Sequence, residues 1–334
     1  LLQGEGSFEL ESAGNDVQVL AGDTLGSIAY RDANGLSVGT VDSVTGSTSG
    51  VTTADSNLTV CLVTGDLLVV EDLSAGSATI RLQTLGGSIL GTGRVTSNAL
   101  GLRAAGAADS SISLTSPAND VNILAATSSG LIHFADSDGF SVGSVAALGC
   151  FNPGVVGISA LELCVETGDL VLAESISVSG TVRLTAETGS VVQTASGSIT
   201  SLDLVVWAQN GIVLTAALNE VSGSFAAYSA TGDILFHSQE SFLVGAISGG
   251  DCLPEVIGVT AGAGNIALSS GGLLNIGDGA GQDIRAVGNT VILRAAGIIE
   301  NSGSIIEASQ LGLEGTGNFS LTEANQVGTL AASL

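Results

Sequence analysis

Apolar and polar residues alternate with a period of two along much of the chain. In the segments 58–62, 161–165 and 291–293, every second residue is Val or Leu, and these residues share one face of the strand. This alternation is typical of half-buried strands. Clusters of Gly, Asn, Asp and Ser interrupt the strands roughly every 8–12 residues, the spacing of all-β folds. No segment keeps an apolar stripe at helical spacing, so the pattern predicts an all-β protein.

A seven-residue motif shows that the chain is repetitive. The first copy is Asn15-Asp16-Val17-Gln18-Val19-Leu20-Ala21, and further copies begin at Asn119, more loosely at Asn219, and at Asn325. The intervals between their first residues are 104, 100 and 106 residues. Repetition at a fixed period is the sequence signature of repeat architectures. We therefore predict three full repeats and two partial ones, namely 15–118, 119–218, 219–324, 1–14 and 325–334. Such a chain is expected to be a window on a longer array or a subunit that polymerises head to tail.

Short strands joined by sharp turns, without helices, restrict the possible folds to a sandwich, a barrel, a propeller or a solenoid. Propeller blades usually run about 40–50 residues, less than half of this repeat. A parallel β-helix with about 20 residues per coil fits, and predicts one continuous β-solenoid over 1–334 with about 15–16 coils and a length on the order of 75 Å. Arg81 and Arg183 alternate with core positions and are expected to face solvent. The residues predicted to point inward are Leu67, Ile80, Leu82, Leu170, Val182, Leu184, Val291 and Leu293.

Composition restricts the core and the partners. Hydrophobic residues make up 45% of the chain but aromatic residues only 3%, so the core must consist of Val, Leu, Ile and Ala. Of these, the β-branched Val and Ile favour strands. A net charge of −25, with seven basic residues, argues against nucleic acid and against anionic lipid surfaces. No apolar run approaches the roughly 18 residues of a membrane span. No signal peptide is visible and no Met begins the chain, so the true N-terminus is expected to lie upstream.

Several segments of the sequence carry a resemblance to a known family. They are the motif Asn-x-Val-x-x-Leu-Ala, the matching segments Thr64-Gly65-Asp66-Leu67 and Thr167-Gly168-Asp169-Leu170, and the segments Gly189-Ser190-Val191-Val192-Gln193 and Gly197-Ser198-Ile199-Thr200. Over essentially the whole chain, the sequence resembles the filamentous haemagglutinin-like repeats of giant bacterial surface proteins. The resemblance implies a right-handed parallel β-helical shaft, export by the two-partner route, and a role in adhesion outside the bacterial cell or on its surface. The family's amino-terminal secretion domain and Asn-Pro motifs are not matched in this sequence.

Two pairs of acidic residues give a weak calcium signal. Asp136 and Asp138 lie in an Asp-x-Asp-Gly sequence, which begins many calcium loops. Asp278 and Asp283 lie in a Gly-rich stretch that resembles a single nonapeptide of a calcium-binding β-roll. Asp, Asn and Gly are also the residues that tight turns require, and the turn interpretation is the favoured one. No other cofactor is indicated.

Histidine and aromatic residues are too sparse in the sequence to indicate a site. The only two histidines, His133 and His237, have no cysteine close by in sequence, so a zinc site is not indicated. Trp207 and Tyr228 are isolated, whereas a stacking platform for sugars needs several aromatic residues on one face. A cap or a core filler is therefore the favoured interpretation of Trp207.

Enzymes that cleave carbohydrates are the main catalytic alternative, because some resemble this fold. They need carboxylates that converge across a sugar at a set separation, and the closest pairs here are Asp136/Asp138 and Asp278/Asp283. Acidic residues are spread through the repeats, and the repeats are too alike to mark one special coil, so we predict no catalysis. The sequence favours a structural shaft, either an adhesin stalk or an extracellular filament subunit. Its expected partners are copies of itself or neighbouring repeats, end to end or laterally, and surface glycans; a carbohydrate-binding or carbohydrate-cleaving β-helix protein remains the alternative.

The four cysteines form two sets of repeat equivalents. Cys61 and Cys164 fall on the outward phase of their strands, and Cys150 and Cys252 each open a loop with a nearby Pro. Only the middle repeat has one of each kind, which predicts a Cys150–Cys164 disulfide in an oxidising compartment; four free thiols are the alternative. Cys61 and Cys252 are expected some nine coils, or about 40 Å, apart, too far to pair within the chain. Their oxidation would then require another molecule.

Overall fold

The computed structural model describes residues 1–44, 46–106, 108–153 and 158–333. The chain is all-β, as predicted: parallel strands stack into a β-solenoid of about 15 turns, and none of the described residues is helical. The chain divides into two compact units, Leu1–Glu166 and Thr167–Leu334.

The N-terminal unit contains strands of two to twelve residues joined by short turns. They are β1 (Leu2–Gly4), β2 (Phe8–Leu10), β3 (Val19–Leu20), β4 (Gly22–Thr24), β5 (Ile28–Asp32), β6 (Leu36–Val38), β7 (Thr40–Ser43), β8 (Gly46–Ser49), β9 (Val51–Thr53), β10 (Leu58–Leu62), β11 (Leu67–Val69), β12 (Leu73–Thr84), β13 (Ile89–Gly91), β14 (Val95–Ala104), β15 (Ile112–Leu114), β16 (Asp120–Ser128), β17 (Leu131–Asp136), β18 (Phe140–Val142) and β19 (Ala160–Val165).

The C-terminal unit continues with strands of the same kind. They are β20 (Leu170–Leu172), β21 (Ile176–Ser177), β22 (Thr181–Ala186), β23 (Ser190–Gln193), β24 (Ile199–Ser201), β25 (Asp203–Ala208), β26 (Gly211–Leu214), β27 (Glu220–Val221), β28 (Ser224–Ser229), β29 (Ile234–Ser238), β30 (Phe242–Val244), β31 (Ala246–Ile247), β32 (Val256–Ile257), β33 (Val259–Ala261), β34 (Ile266–Ser270), β35 (Leu273–Ile276), β36 (Ile284–Ala295), β37 (Gly297–Glu300), β38 (Ile306–Gly315), β39 (Phe319–Ser320) and β40 (Gln326–Ser333).

Parallel register places an apolar residue over an apolar residue in successive turns. In the N-terminal unit, Ile28 pairs with Leu58 and Leu58 with Ile80. In the C-terminal unit, Val182 pairs with Leu204 and Leu204 with Phe225. All eight residues predicted to point inward are fully buried, which confirms the inward phase. Antiparallel strand pairs among the described residues are confined to β7–β8 and β31–β32.

The asparagine that begins the repeated motif ties successive turns together. Asn119 is fully buried, and its Oδ1 accepts a hydrogen bond from the Val95 amide at 2.8 Å. Its Nδ2 donates to the carbonyls of Leu114 and Ala135 at 3.2 and 2.9 Å. A carboxamide is suited to this position because it both donates and accepts, and buried backbone groups need partners. Asn219 is likewise buried, and its amide bonds the Ile199 N–H and the Leu214 carbonyl.

Candidate functional site

A loop after β18 covers the outward face of the strands before it. We call residues 143–153 cover loop 1. Its Val145 and Phe151 pack with Cys61 and Ala99 into an apolar cluster separate from the inward stack. The loop therefore adds a second apolar layer on a face that the alternation pattern assigns to solvent.

Cys150 in cover loop 1 forms a disulfide with Cys61, 89 residues earlier, with their Cα atoms 6.2 Å apart. The predicted Cys150–Cys164 disulfide is therefore wrong. The loop folds back toward earlier strands, which brings Cys150 to β10 instead of to β19, where Cys164 lies. For the same reason, the expectation that an oxidised Cys61 needs another molecule is wrong. Cys164 and Cys252 are disulfide-bonded too, so the four-thiol alternative fails.

The backbone of cover loop 1 is held by polar side chains of the strands beneath it. Arg81 Nε donates to the Ala146 carbonyl at 2.9 Å, and Gln83 exchanges hydrogen bonds with the Cys150 carbonyl and the Asn152 amide. Arg81 is only 8% exposed, so the expectation that it faces solvent is wrong. Its burial lowers the pKa of the guanidinium from the ordinary value.

An equivalent loop covers strands of the C-terminal unit. We call residues 245–258 cover loop 2; it contains the β31–β32 hairpin. Its Ile247, Leu253 and Val256 pack with Val205 and Ala226 into a cluster of their own. The half-buried Arg183 donates from Nε to the Ser248 carbonyl at 3.2 Å. This bond spans 65 residues, as does the bond from Arg81 to Ala146, so the same attachment occurs in two repeats.

Under each cover loop, the size of the strand residue beside the arginine complements the size of the loop residue that covers it. Gly101 lies next to Arg81 in the register, and a Cβ placed on Gly101 would lie 2.8 Å from the Phe151 ring. In the C-terminal unit, the residue paired with Arg183 is Val205, and its cluster contains Leu253 where cover loop 1 has Phe151. A large loop residue thus accompanies a glycine, and a smaller loop residue accompanies a valine.

The weak calcium candidates of the N-terminal unit are explained by a turn. Asp136 is fully buried; its Oδ2 accepts from the Val121 amide at 3.0 Å and its Oδ1 from the Asp138 amide at 3.2 Å. Burial raises the pKa of Asp136 to about 7. The side chain of Asp138 is exposed. In the third repeat, Ser238 replaces the carboxylate and accepts from the Val221 and Glu240 amides.

The other two candidates also have partners within the chain. Asp283 is 5% exposed; its Oδ2 accepts from Arg285 Nη2 at 2.6 Å, and its Oδ1 accepts from the Ile305 amide at 2.8 Å. Asp278 is exposed, and its amide donates to the Gln282 side chain. The Asp283 carboxylate thus forms an ion pair with Arg285 and a hydrogen bond with the backbone at Ile305.

Strand pairing brings together three residues that are far apart in sequence. His133 pairs with Glu162 across β17 and β19, and the His133 Nε2 atom lies 3.7 Å from the Cys164 sulfur. All three side chains are buried, and their ligand atoms lie within 4.8 Å of one another. The sulfur belongs to a disulfide and offers no thiolate, the form of cysteine that binds metals. This cluster could not be predicted from the sequence, because its members approach one another only through the register between successive turns.

Trp207 and Tyr228 are neighbours in the structure, although they are isolated in the sequence. They pair across β25 and β28, and their rings stack with centroids 5.9 Å apart and an interplanar angle of 19°. A cavity of about 170 Å³ lies beside them, and we call it the Tyr228 pocket. Its walls include Trp207, Tyr228, Pro254, Glu255, Ile257 and Thr260. Their spacing of 21 residues, one turn of the solenoid, was the signal that the sequence offered.

A second groove lies in the N-terminal unit beside cover loop 1. It has a volume of about 370 Å³ and is lined in part by Glu9, Glu11 and Asn57. Glu11 Oε1 accepts a hydrogen bond from the Cys150 amide at 3.1 Å. One of the two carboxylates is thus engaged in holding the loop.

Fold, repeats and cover loops together define a β-solenoid repeat protein. Comparisons of the chain with protein-family models, with curated proteins and with solved structures give no match. Among the described residues, no helix is long and apolar enough to cross a membrane.

Proposed function

We propose that this chain is a structural shaft of a fibrous protein, secreted by a bacterium or displayed on its surface, as an adhesin stalk or an extracellular filament subunit. The observation that carries the proposal is the use of polar groups within the repeats. Asn119 and Asp136, both buried, bond backbone groups at the turns instead of converging on a cleft. A chain whose repeated polar residues serve its own backbone gains stability from each added turn, as repeat proteins do.

The disulfides support the proposed location. Cys61 and Cys150 are bonded, and no free cysteine occurs among the described residues. Disulfides form and persist in secreted and surface proteins and are rare in reducing compartments. The acidic surface, with a net charge of −25, adds repulsion that keeps long particles apart in solution.

Electron microscopy of the purified chain tests the proposal. A stalk should give discrete elongated particles, and a filament subunit should give end-to-end polymers whose number increases with protein concentration. Compact, isometric particles would contradict both forms. Labelling of intact producing cells with an antibody to the chain tests the location: a signal that requires permeabilised cells would contradict surface display.

A carbohydrate-binding or carbohydrate-cleaving β-helix is the second candidate. It is favoured by the groove that contains Glu9 and Glu11, because glycosidases use two carboxylates across a groove. Release of reducing ends from a panel of polysaccharides by the wild-type chain, abolished in Glu9→Gln, would support it. A chain that releases none would leave the shaft as the better proposal.

A further inference from the structure

The ladder of aromatic rings ends at the Tyr228 pocket. Tyr228 pairs with Trp207 on one side and with Thr260 on the other. Trp207 stacks on its side of the tyrosine ring, and Thr260 on the other side has no ring to continue the stack. The cavity is lined by all three residues of this row, Trp207, Tyr228 and Thr260. The Tyr228 ring therefore borders an open space, and Pro254 and Glu255 of cover loop 2 form another wall of that space.

The charge of the pocket selects among ligands. Glu255 is exposed at the pocket, and no Arg or Lys is among the lining residues. An aromatic face carries a negative potential and attracts cations, most strongly when the cation is alkylated and weakly hydrated. The net charge of −25 also raises the local concentration of cations and lowers that of anions. A neutral sugar carries no charge that could pair with the Glu255 carboxylate, so the charge of the pocket favours a cation.

The volume restricts the ligand further. Small-molecule sites usually have about 300–1,000 Å³, and this cavity has about 170 Å³. It therefore admits a single compact group instead of a drug-sized molecule. We propose that the Tyr228 pocket binds the alkylated ammonium group of a small organic cation, held on the Tyr228 ring and paired with the Glu255 carboxylate. This site is independent of the proposed shaft function.

Fluorescence offers a direct measurement, because Trp207 is the only tryptophan of the chain and lines the pocket. Tetramethylammonium and choline are titrated at constant ionic strength while the Trp207 emission is followed. We expect a saturable change of emission with both cations. The uncharged isostere of choline, 3,3-dimethyl-1-butanol, should bind at least about tenfold more weakly. Equal binding of the isostere would overturn the proposal, since the pocket would then be merely apolar.

Variants separate the contributions of the ring and of the carboxylate. Glu255→Gln should weaken cation binding about three- to tenfold, while Glu187→Gln, an exposed acid of the same unit away from the pocket lining, should leave it unchanged. Tyr228→Phe keeps the ring face and should bind like wild type, whereas Tyr228→Leu should lose binding. If Tyr228→Leu fails to fold, Glu255→Gln and the isostere still decide. Saturable binding of glucose in place of the cations, or no change of emission with any probe, would refute the inference.

Discussion

Cys61 on β10 and Cys150 in cover loop 1 are covalently joined across 89 residues of chain. Removing this bond frees the unfolded chain to sample more conformations, so the double variant Cys61→Ala/Cys150→Ala should lower the free energy of unfolding. The loop-entropy relation for a closed loop of this length gives about 4–5 kcal/mol. Urea denaturation measures the loss, and mass spectrometry of unreduced peptides should show the 61–150 link in the wild type. A double variant as stable as the wild type would contradict this account.

This disulfide shows where prediction from sequence stops. The inward residues could be predicted because alternation is local: Val182 and Leu184 must share a face wherever the strand lies. The path of cover loop 1 depends on distant residues, and nothing within 143–153 indicates which strands it covers. The strand cysteine of one repeat bonds the loop cysteine of the next, whereas the sequence interpretation assumed a bond within one repeat. The stacked Trp207 and Tyr228 were missed for a related reason, since their approach follows from the length of a turn.

Phe151 should contribute most of the apolar contact between cover loop 1 and the strands. Its ring is buried over Gly101, whereas Leu148 of the same loop is 45% exposed. We expect Phe151→Ala to lower the free energy of unfolding by about 3 kcal/mol or more. The control Leu148→Ala should change it by less than about 0.5 kcal/mol. Equal effects in urea denaturation would show that the loop does not pack as described.

Asp136 should make stability depend on pH. Its pKa is raised by burial to about 7, while a carboxyl of an unfolded chain ionises near pH 4. Between these values the folded state holds a proton that the unfolded chain has released. The contribution of Asp136 to the free energy of unfolding is therefore fully present below about pH 4 and is lost as the pH rises to about 7. The free energy of unfolding falls by about 2–4 kcal/mol over this range.

The chain itself supplies the variant for this test, because the third repeat uses Ser238 at the equivalent position. Asp136→Ser should be more stable relative to the wild type at pH 7.5 than at pH 4, as measured by urea denaturation at both values. Asp109→Asn removes the same charge from an exposed position and should show no such change. A pH-independent difference between Asp136→Ser and the wild type would refute the raised pKa.

A charge in the aliphatic stack should be far more costly than one on the surface. Val182 is fully buried in β22, whereas Val287 in β36 is 59% exposed. Val182→Asp should lower the free energy of unfolding by several kcal/mol or prevent folding, because an unpaired carboxylate would enter an apolar core. Val287→Asp should change it by less than about 1 kcal/mol. Thermal melting followed by circular dichroism compares the two, and matching melting temperatures would mean that the inward register is wrong.

Asn119 should matter more than any exposed polar residue of the motif that it begins. Replacement by Ala would leave the Val95 amide and the carbonyls of Leu114 and Ala135 buried without these partners. Each such group costs about 1–3 kcal/mol when its partner is lost, and partial relaxation reduces the sum, so we expect a loss of about 2–4 kcal/mol. Asn119→Asp should be worse, since it keeps the acceptor but places a carboxylate against two carbonyl oxygens.

The matched control is Asn122→Ala, three residues further along the same motif. Asn122 is exposed, and its Nδ2 donates to the Asn98 side chain at 3.3 Å. Its replacement should change the free energy of unfolding by less than about 0.5 kcal/mol. If urea denaturation gave equal losses for Asn119→Ala and Asn122→Ala, the buried amide would not be what ties the turns together. A large loss for Asn119→Ala alone would explain physically why the motif begins with asparagine in every repeat.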